Sequence, residues 1–363
     1  MRPTTPYNNV KGFGGQGENG LKPFIYAALP TRVVFGRGKI SEVAAEAKRL
    51  GMKRPLVITT SHQADSANSI VKDTNGVSFA GAAMHTPVDV TEQAMATMRA
   101  ENCDGTIALG GGSSTGLGKA IALRTDCPQL VIPTSYAGSE MTNILGETAD
   151  GNKITKRDAK IQPESVIYDP DLLASLPDRF AATSGMNAIA HAVEGLYAVD
   201  GNPIVSLMAE EGIRALGSAL PKGKGGHDEA LYGAWLCGAV LGSVSMALHH
   251  KLCHVLGGSF NLPHAETHTV VLPHATAYNE QGAGDAMARI ARALNAPSAP
   301  SGLFDLAKSL GAPLTLKELG MTEDGLDKAA DIAAANPYAN PIPIERDAIR
   351  QLLNNAFHGL RPN

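Results

Sequence analysis

The sequence predicts an α/β domain with a parallel, Rossmann-like sheet, followed by an all-helical domain. Between residues 24 and 173, short β-branched runs alternate with helix-like segments, which is typical of βαβ units and a parallel sheet. After Asp169-Pro170-Asp171-Leu172 these runs end, and the chain becomes rich in Ala, Leu and Met with helical periodicity. We therefore predict a flexible leader at 1–23, an α/β domain at 24–173 and a helical domain at 174–363.

The α/β domain contains four strand candidates and two helix candidates. The strands are predicted at residues 31–35, 55–60, 106–109 and 130–133. The helices are predicted at 40–50, where Gly51 ends the pattern, and at 91–100, where Thr91 and Glu92 favour a helix start.

Composition narrows the classes of partner. A chain of 363 residues with 44% hydrophobic and 18% charged content can bury cores for two domains. The net charge of -4 offers no basic field for a polyanion, so we expect a small-molecule ligand and no nucleic acid. The four cysteines are widely spaced without a Cys-x-x-Cys pair, which favours reduced thiols in the cytoplasm.

Two segments, the N-terminus and an apolar stretch of the helical half, bear on targeting and membrane association. The N-terminal residues lack an apolar run of signal-peptide length and are interpreted as the leader. Residues 231–248 are apolar, but glycines and serines interrupt them and His249-His250-Lys251 follows directly. This stretch predicts a buried helix and no membrane association.

A glycine-rich turn follows the third predicted strand and leads into a helix. Glycines let a backbone approach a pyrophosphate closely, and free amides at a helix start bind its oxygens. The turn matches neither Gly-x-Gly-x-x-Gly at the first strand nor a P-loop, and a merely tight turn is the alternative. The predicted phosphate-binding residues are Gly110, Gly111, Gly112, Ser113 and Ser114.

A hydroxyl-rich loop follows the next strand, at the same edge of the predicted sheet. Ligands of open α/β sheets bind beyond the carboxyl ends of the strands, so both loops should face one crevice and bind a dinucleotide. Hydroxyls that only cap the following turn are the alternative interpretation. The candidates on this loop are Thr134, Ser135, Ser139 and Thr142.

Histidines crowd the helical half. Asn187 lies four residues before His191, and His250 lies four before His254, so each pair shares one helix face. His264 follows in a Leu-Pro-His loop. A lone histidine is more often a core residue, but most of the eleven histidines fall between residues 191 and 274, which favours one site.

These motifs, in this order, resemble the iron-containing alcohol dehydrogenase family. The resemblance begins near Phe24 and includes Gly-Gly-Gly-Ser, a Pro-Thr loop ending in Gly-Ser-Glu, Asp-Pro-Asp-Leu, His-x-x-x-His and Leu-Pro-His. It implies a dehydroquinate synthase-like fold, a nicotinamide cofactor and a homodimer. The metal ligands carried over by position would be Asn187, His191, His250 and His264, with His254 as a nearby non-ligand.

The sequence departs from the metal-binding members at Asn187, where those members have Asp. The exchange removes the only anionic ligand, so we expect no tightly bound metal. The loop beginning at Thr134 is also shorter than in the alcohol dehydrogenases, and Met84-His85-Thr86-Pro87 and the run 166–170 are similar to the maleylacetate-reducing branch.

That resemblance implies reduction of the conjugated C=C of maleylacetate, a dicarboxylate from aromatic-compound degradation, to 3-oxoadipate. His250, His254 and His264 would bind the carboxylates or supply the proton, because imidazole does either near neutral pH. His191 and Asn187 are predicted to be orienting groups of the site, and Tyr136 and Tyr338 are weaker candidates for hydrogen-bond donors.

For the cofactor, the resemblance places Lys153 near the nicotinamide ribose, and a solvated surface lysine is an equally good interpretation. Thr60 lies at the end of the second strand, where an acid would select NADH; none is present, so NADH or NADPH is expected. A metal-dependent, iron or zinc, NAD(P)-dependent alcohol dehydrogenase is the second hypothesis, and a dinucleotide-binding protein without enzyme activity is the third.

Overall fold

The computed structural model describes residues 23–149, 152–335 and 338–363, and the side chains of Asn152 and Lys153 are not described. The leader predicted at 1–23 lies outside the described residues except for residue 23. The elements, contacts and counts given for the protein are those of these residues.

The α/β half contains eight strands, six of which form one parallel sheet in the order β1-β8-β5-β4-β2-β3. β6 and β7 pair as a separate antiparallel hairpin. The strands are β1 (Arg32–Phe35), β2 (Leu56–Ile58), β3 (Val77–Phe79), β4 (Thr106–Gly110), β5 (Gln129–Pro133), β6 (Ile144–Ala149), β7 (Asn152–Arg157) and β8 (Ser165–Tyr168).

Four helices cover this sheet. They are α1 (Val43–Arg49), α2 (Ala64–Thr74), α3 (Val88–Ala100) and α4 (Gly112–Thr125). Every residue of β2, β4, β5 and β8 is buried, as expected for parallel strands covered on both faces. This explains why their sequences are continuous apolar runs without polar alternation.

The predicted parallel sheet is confirmed, and the four predicted strands correspond to β1, β2, β4 and β5. The helix predicted at 40–50 is a short 3-10 turn, Lys39–Glu42, followed by α1. The helix predicted at 91–100 is α3, which begins earlier, after Pro87. No strand was predicted for β3, β8 or the hairpin.

The second half is helical throughout its described part. Its helices are α5 (Asp178–Leu196), α6 (Pro203–Ala219), α7 (His227–Ser243), α8 (Leu248–Phe260), α9 (His264–Asn279), α10 (Gly284–Leu294), α11 (Ala299–Ser309), α12 (Gly325–Ala334) and α13 (Arg346–His358). Asn202 caps α6 by accepting from the Val205 amide at 3.1 Å. α5 is buried from Ala182 to Gly195 and forms the central helix.

One hydrophobic core joins the two halves. It combines sheet residues such as Val131 and Tyr168 with residues of α5, α6 and α7. The loop after β5 touches α7 backbone to backbone, since a Cβ on Gly238 would lie 2.6 Å from the Gly138 carbonyl oxygen. Gly138 also has a φ of +77°, so glycine is required on both sides of this contact.

The strand order reverses between β2 and β4: the chain passes from β2 outward to β3, then crosses to β4, β5 and β8. A crevice at such a switch point is where open α/β sheets bind ligands. The loops that follow β2, β4 and β5 therefore surround one binding region.

Within the described residues no single helix is long and apolar enough to cross a membrane. One pair of helical segments, Pro203–Ser243 with Leu248–Phe260, together has the length and composition of a membrane span but is bent by 93°. The apolar stretch at 231–248 lies mainly in α7, where Leu231, Ala234, Cys237 and Val240 are fully buried. All four cysteines are free thiols, as predicted.

Candidate active site

The glycine-rich turn forms the start of α4. Gly110 has a φ of +143°, and a Cβ there would lie 2.5 Å from the Ser114 hydroxyl oxygen. Gly112 is exposed, and a Cβ there would meet nothing within 4 Å. The turn is therefore closed on the protein side at Gly110 and open toward solvent at Gly112, as a pyrophosphate cradle would require.

The loops after β2 and β5 lie beside this cradle. The Gln63 amide donates to the Thr134 hydroxyl at 3.0 Å, and the Thr134 amide donates to the Gly110 carbonyl at 3.1 Å. Thr60 precedes the 3-10 turn that contains Gln63. Ser135 lies close to Gly111, where a Cβ would be 3.0 Å from its hydroxyl oxygen. Gln63, which links the loops, was not identified from the sequence.

The other predicted cofactor-binding hydroxyls are placed differently. The Thr142 hydroxyl and the Ser139 carbonyl both accept from the Lys119 ammonium, at 2.9 and 2.5 Å. Ser114 is fully buried, and its hydroxyl has no partner. The Lys153 backbone pairs with Thr148 in the hairpin, and its side chain lies outside the described atoms.

Tyr136 contacts His227, a histidine outside the predicted set. Its side chain is buried in the core, and its hydroxyl lies 2.7 Å from Nδ1 of His227 at the start of α7. Burial raises the pKa of Tyr136 well above its usual value. Tyr338 packs against the core formed by α8, α9, α12 and α13. The Lys251 ammonium lies 5.8 Å from the centre of its ring. Tyr136 is therefore a core residue paired with His227, and its role as a catalytic donor stays a prediction.

Three helices bring the predicted histidines together. His191 lies on α5, His250 and His254 on α8, and His264 at the first position of α9. The rings of His191 and His250 are 5.1 Å apart, and those of His250 and His254 are 6.4 Å apart. Asn187 and His191 are buried, whereas His254 and His264 are exposed.

Two further histidines complete this cluster. His268, one turn after His264, is fully buried, and its ring lies 4.3 Å from that of His264 and 4.9 Å from that of His250. His249 lies 4.8 Å from the His268 ring and is also fully buried. The sequence contained a signal for His268, because it follows His264 by four residues, the same spacing that paired His250 with His254.

A buried carboxylate anchors the cluster. Glu194 accepts from the backbone amides of Ala247 at 2.9 Å and His249 at 2.8 Å, at the start of α8. It also accepts from Nδ1 of His250 at 2.7 Å. A carboxylate at a helix N-terminus is stabilised by the free amides and the helix dipole. Glu194, three residues after His191, thus joins α5 to α8 and was missed from the sequence.

The Glu194 contact assigns the proton on His250. Nδ1 donates to the carboxylate, so in the neutral ring Nε2 is an acceptor. Burial, with a smaller effect of His254, lowers the pKa of His250 to about 3, and burial lowers the pKa of His249 to about 4. Burial also lowers the pKa values of His191 and His268 well below their usual range. The buried imidazoles are therefore neutral.

Several polar atoms of the cluster have no protein partner. They are Oδ1 of Asn187, Nδ1 of His191, Nε2 of His250, and both ring nitrogens of His268. Leaving buried polar groups unpaired costs free energy, about 1 to 3 kcal/mol each. Such a concentration at one place is characteristic of a site built for a ligand.

Two family models match the chain. The model described as Iron-containing alcohol dehydrogenase matches residues 30–170, and the model described as Fe-containing alcohol dehydrogenase family, C-terminal, matches residues 181–357. The chain belongs to the iron-containing alcohol dehydrogenase family.

Members of this family named for one reaction are among the most similar proteins. A maleylacetate reductase of Burkholderia cepacia is 53% identical over 352 residues, covering 94% of this chain and 100% of that protein. One of Rhizobium sp. (strain MTP-10005) is 53% identical over 351 residues, with the same coverage of both proteins. The crystal structure of the maleylacetate reductase from Agrobacterium tumefaciens has a TM-score of 0.91 and 53% identity, over 94% of this chain and 100% of that one.

Proposed function

We propose that this protein is a maleylacetate reductase, which uses NADH or NADPH to reduce the conjugated C=C of maleylacetate to 3-oxoadipate during the degradation of aromatic compounds. Relatives of that name, similar over nearly the whole chain, support this proposal. The observation that carries it in the site is Asn187, an amide at the position where metal-binding family members have a carboxylate, on the same face of α5 as His191.

An amide changes what this position can do. A carboxylate only accepts hydrogen bonds, whereas the Asn187 amide also offers two N–H donors. A donor suits the ketone oxygen of the substrate, on which negative charge develops during reduction. Preorganised donors at such an oxygen contribute about 3 to 4 kcal/mol each in a site that excludes water.

The bound nicotinamide would supply the hydride that adds to the alkene carbon β to the ketone. The residues of this chain then stabilise the resulting enolate and deliver a proton to the neighbouring carbon. Asn187 and His191 are buried and are assigned to the ketone oxygen. His254 and His264 are exposed at the mouth of the cluster and are assigned to the carboxylates and to proton delivery.

We propose that this reaction needs no tightly bound metal. Neutral imidazoles alone hold zinc in some enzymes, so the histidines do not decide the question. The donor set nevertheless does not fit iron well. Glu194, the carboxylate that contacts the cluster in the described part of the chain, is engaged by His250 Nδ1 and backbone amides.

The decisive experiment follows NADH and NADPH oxidation with maleylacetate and with a panel of simple aldehydes. We expect faster turnover with maleylacetate and full activity after chelation and removal of metal. Faster turnover of an aldehyde would contradict the substrate assignment, and stoichiometric iron or zinc required for turnover would contradict the metal-free reaction.

One observation favours the second function, a metal-dependent NAD(P)-dependent alcohol dehydrogenase. A carboxylate that accepts from the non-ligating nitrogen of a histidine is common behind metal ligands, and Glu194 has this relation to His250. The same experiment separates the two functions. The homodimer, a cytoplasmic location and the absence of nucleic-acid or membrane partners belong to the same proposal; sedimentation of the purified protein tests the dimer.

A further inference from the structure

The lysine of α4, Lys119, has no assigned role although its environment is unusual. Its side chain is fully buried, two helical turns after the phosphate cradle at Gly112. Burial lowers the pKa of Lys119 to about 7, and the neighbouring Glu140 carboxylate opposes this effect. A lysine is almost never fully buried without specific partners.

Those partners all belong to one short segment. Nζ of Lys119 donates to the Ser139 carbonyl at 2.5 Å, to the Thr142 hydroxyl at 2.9 Å and to the Ile144 carbonyl at 3.0 Å. The Thr142 hydroxyl in turn donates to the Ser139 carbonyl at 3.1 Å. The three N–H donors of one ammonium thus match the three nearest acceptors within residues 139–144, and the Ser139 hydroxyl lies farther away, at 3.4 Å.

A second buried contact fixes the middle of the same segment. Glu140 is buried, and its carboxylate accepts from the Tyr168 hydroxyl of β8 at 2.8 Å. The segment is therefore attached to α4 by Lys119 and to the sheet by Glu140. Both attachments are polar contacts within a largely apolar core.

The segment leads directly to the histidine cluster. Gly138, which precedes it, packs on Gly238 of α7, and a Cβ on Gly138 would lie 3.6 Å from Nδ1 of His191. A shift of residues 139–144 would therefore move the backbone against which His191 rests. The cradle residues on the first turn of α4 need not move with it.

We propose that Lys119 is a positioning residue of the active site, which holds residues 139–144 between α4 and the sheet and thereby sets the position of His191. This proposal rests on the proposed function only where it is tested by kcat for maleylacetate. The role predicts an asymmetric loss: catalysis depends on Lys119 more strongly than cofactor binding does.

The test compares Lys119→Met, which keeps the length of the side chain but has no donor, with the control Lys72→Met at an exposed position of α2. A displacement of about 1 Å at a catalytic group costs on the order of 100-fold in rate. We expect kcat for maleylacetate to fall by about that factor in Lys119→Met, while the Kd for NADH rises less than about tenfold. Lys72→Met should match the wild type in both.

Hydrogen exchange provides a readout that is independent of the substrate. Amides within 139–144 should exchange at least about tenfold faster in Lys119→Met, with those of β4 and β5 unchanged. If Lys119→Met does not fold, Lys119→Ala with added propylammonium replaces it, and the amine should restore turnover whereas tetramethylammonium, which cannot donate, should not.

Unchanged kcat and exchange in Lys119→Met would overturn the proposal. So would a uniform increase in exchange across the protein with normal kcat in the folded fraction, since that would indicate stability alone. If Lys119→Ala is used, equal turnover with both amines would also overturn it. A wild-type protein that does not reduce maleylacetate would refute the proposed function, and the exchange and NADH measurements would still decide the role of Lys119.

Discussion

Replacement of Glu194 by Gln tests the anchor of the histidine cluster. Oε2 accepts from the Ala247 amide and from Nδ1 of His250, while Oε1 accepts from the His249 amide at 2.8 Å. A glutamine can keep its oxygen at the Oε2 position only by turning its NH₂ group toward the His249 N–H. That orientation places two donors against each other.

The magnitude follows from these contacts. The lost bond at His249 leaves an unsatisfied buried donor, which costs about 1 to 3 kcal/mol, and each bond that changes from a charged to a neutral acceptor loses about 1 kcal/mol. The sum for Glu194→Gln is a loss of about 4 kcal/mol in the free energy of unfolding. The control Glu211→Gln, at a surface pair with Arg214, should lose less than about 1 kcal/mol.

Urea unfolding at neutral pH, followed by far-UV circular dichroism, measures both variants. A loss below about 1 kcal/mol in Glu194→Gln would refute the reasoning. Since burial raises the pKa of Glu194, that result would mean that the carboxyl is already protonated and acts as a neutral group in the folded protein.

Four further predictions concern two glycines of the cradle, the unpaired histidine and the buried lysine. Gly112→Ala should fold normally but weaken NADH binding by about tenfold, because its methyl group faces open space at the cradle. Fluorescence titration measures the affinity for NADH, and equal affinity in Gly112→Ala and the exposed helical control Gly258→Ala would contradict the prediction. Gly110→Ala should instead destabilise the fold, by about 1 to 3 kcal/mol, because the glycine has a positive φ and little space; a normal melting temperature would exclude this. His268→Leu should stabilise the protein by about 1 kcal/mol, because it removes a buried imidazole without protein partners. Turnover should fall about 100-fold, because the unpaired ring nitrogens are then no longer offered to the ligand. A less stable, fully active variant would contradict this role in ligand binding. Burial lowers the pKa of Lys119 to about 7, against 10.5 for an ordinary lysine, so the unfolded chain binds more protons than the folded protein between these two pH values. The wild type should therefore gain about 2 to 3 kcal/mol of stability over Lys119→Met from pH 7 to pH 9. A difference in urea midpoints that stays constant over this range would show that the ammonium is retained.

The sequence by itself determined the fold class and predicted several of the residues that the structure brings together in the histidine cluster. Continuous apolar runs predicted β2, β4 and β5 because strands buried on both faces carry no polar alternation. β3 and β8 were not predicted from the sequence, and pairing with neighbouring strands defines them. Spacing of four residues placed Asn187 with His191 and His250 with His254, because helical periodicity is local.

Only the tertiary structure decided which groups meet across elements. Glu194 contacts His250 from another helix, Lys119 contacts a segment some twenty residues later, and Tyr136 contacts His227 at the start of α7. Each of these contacts depends on the packing of distant segments, so no local pattern in the chain reveals it. The spacing signal for His268 was present, but its buried ring and unpaired nitrogens became apparent only when α8 and α9 were packed together.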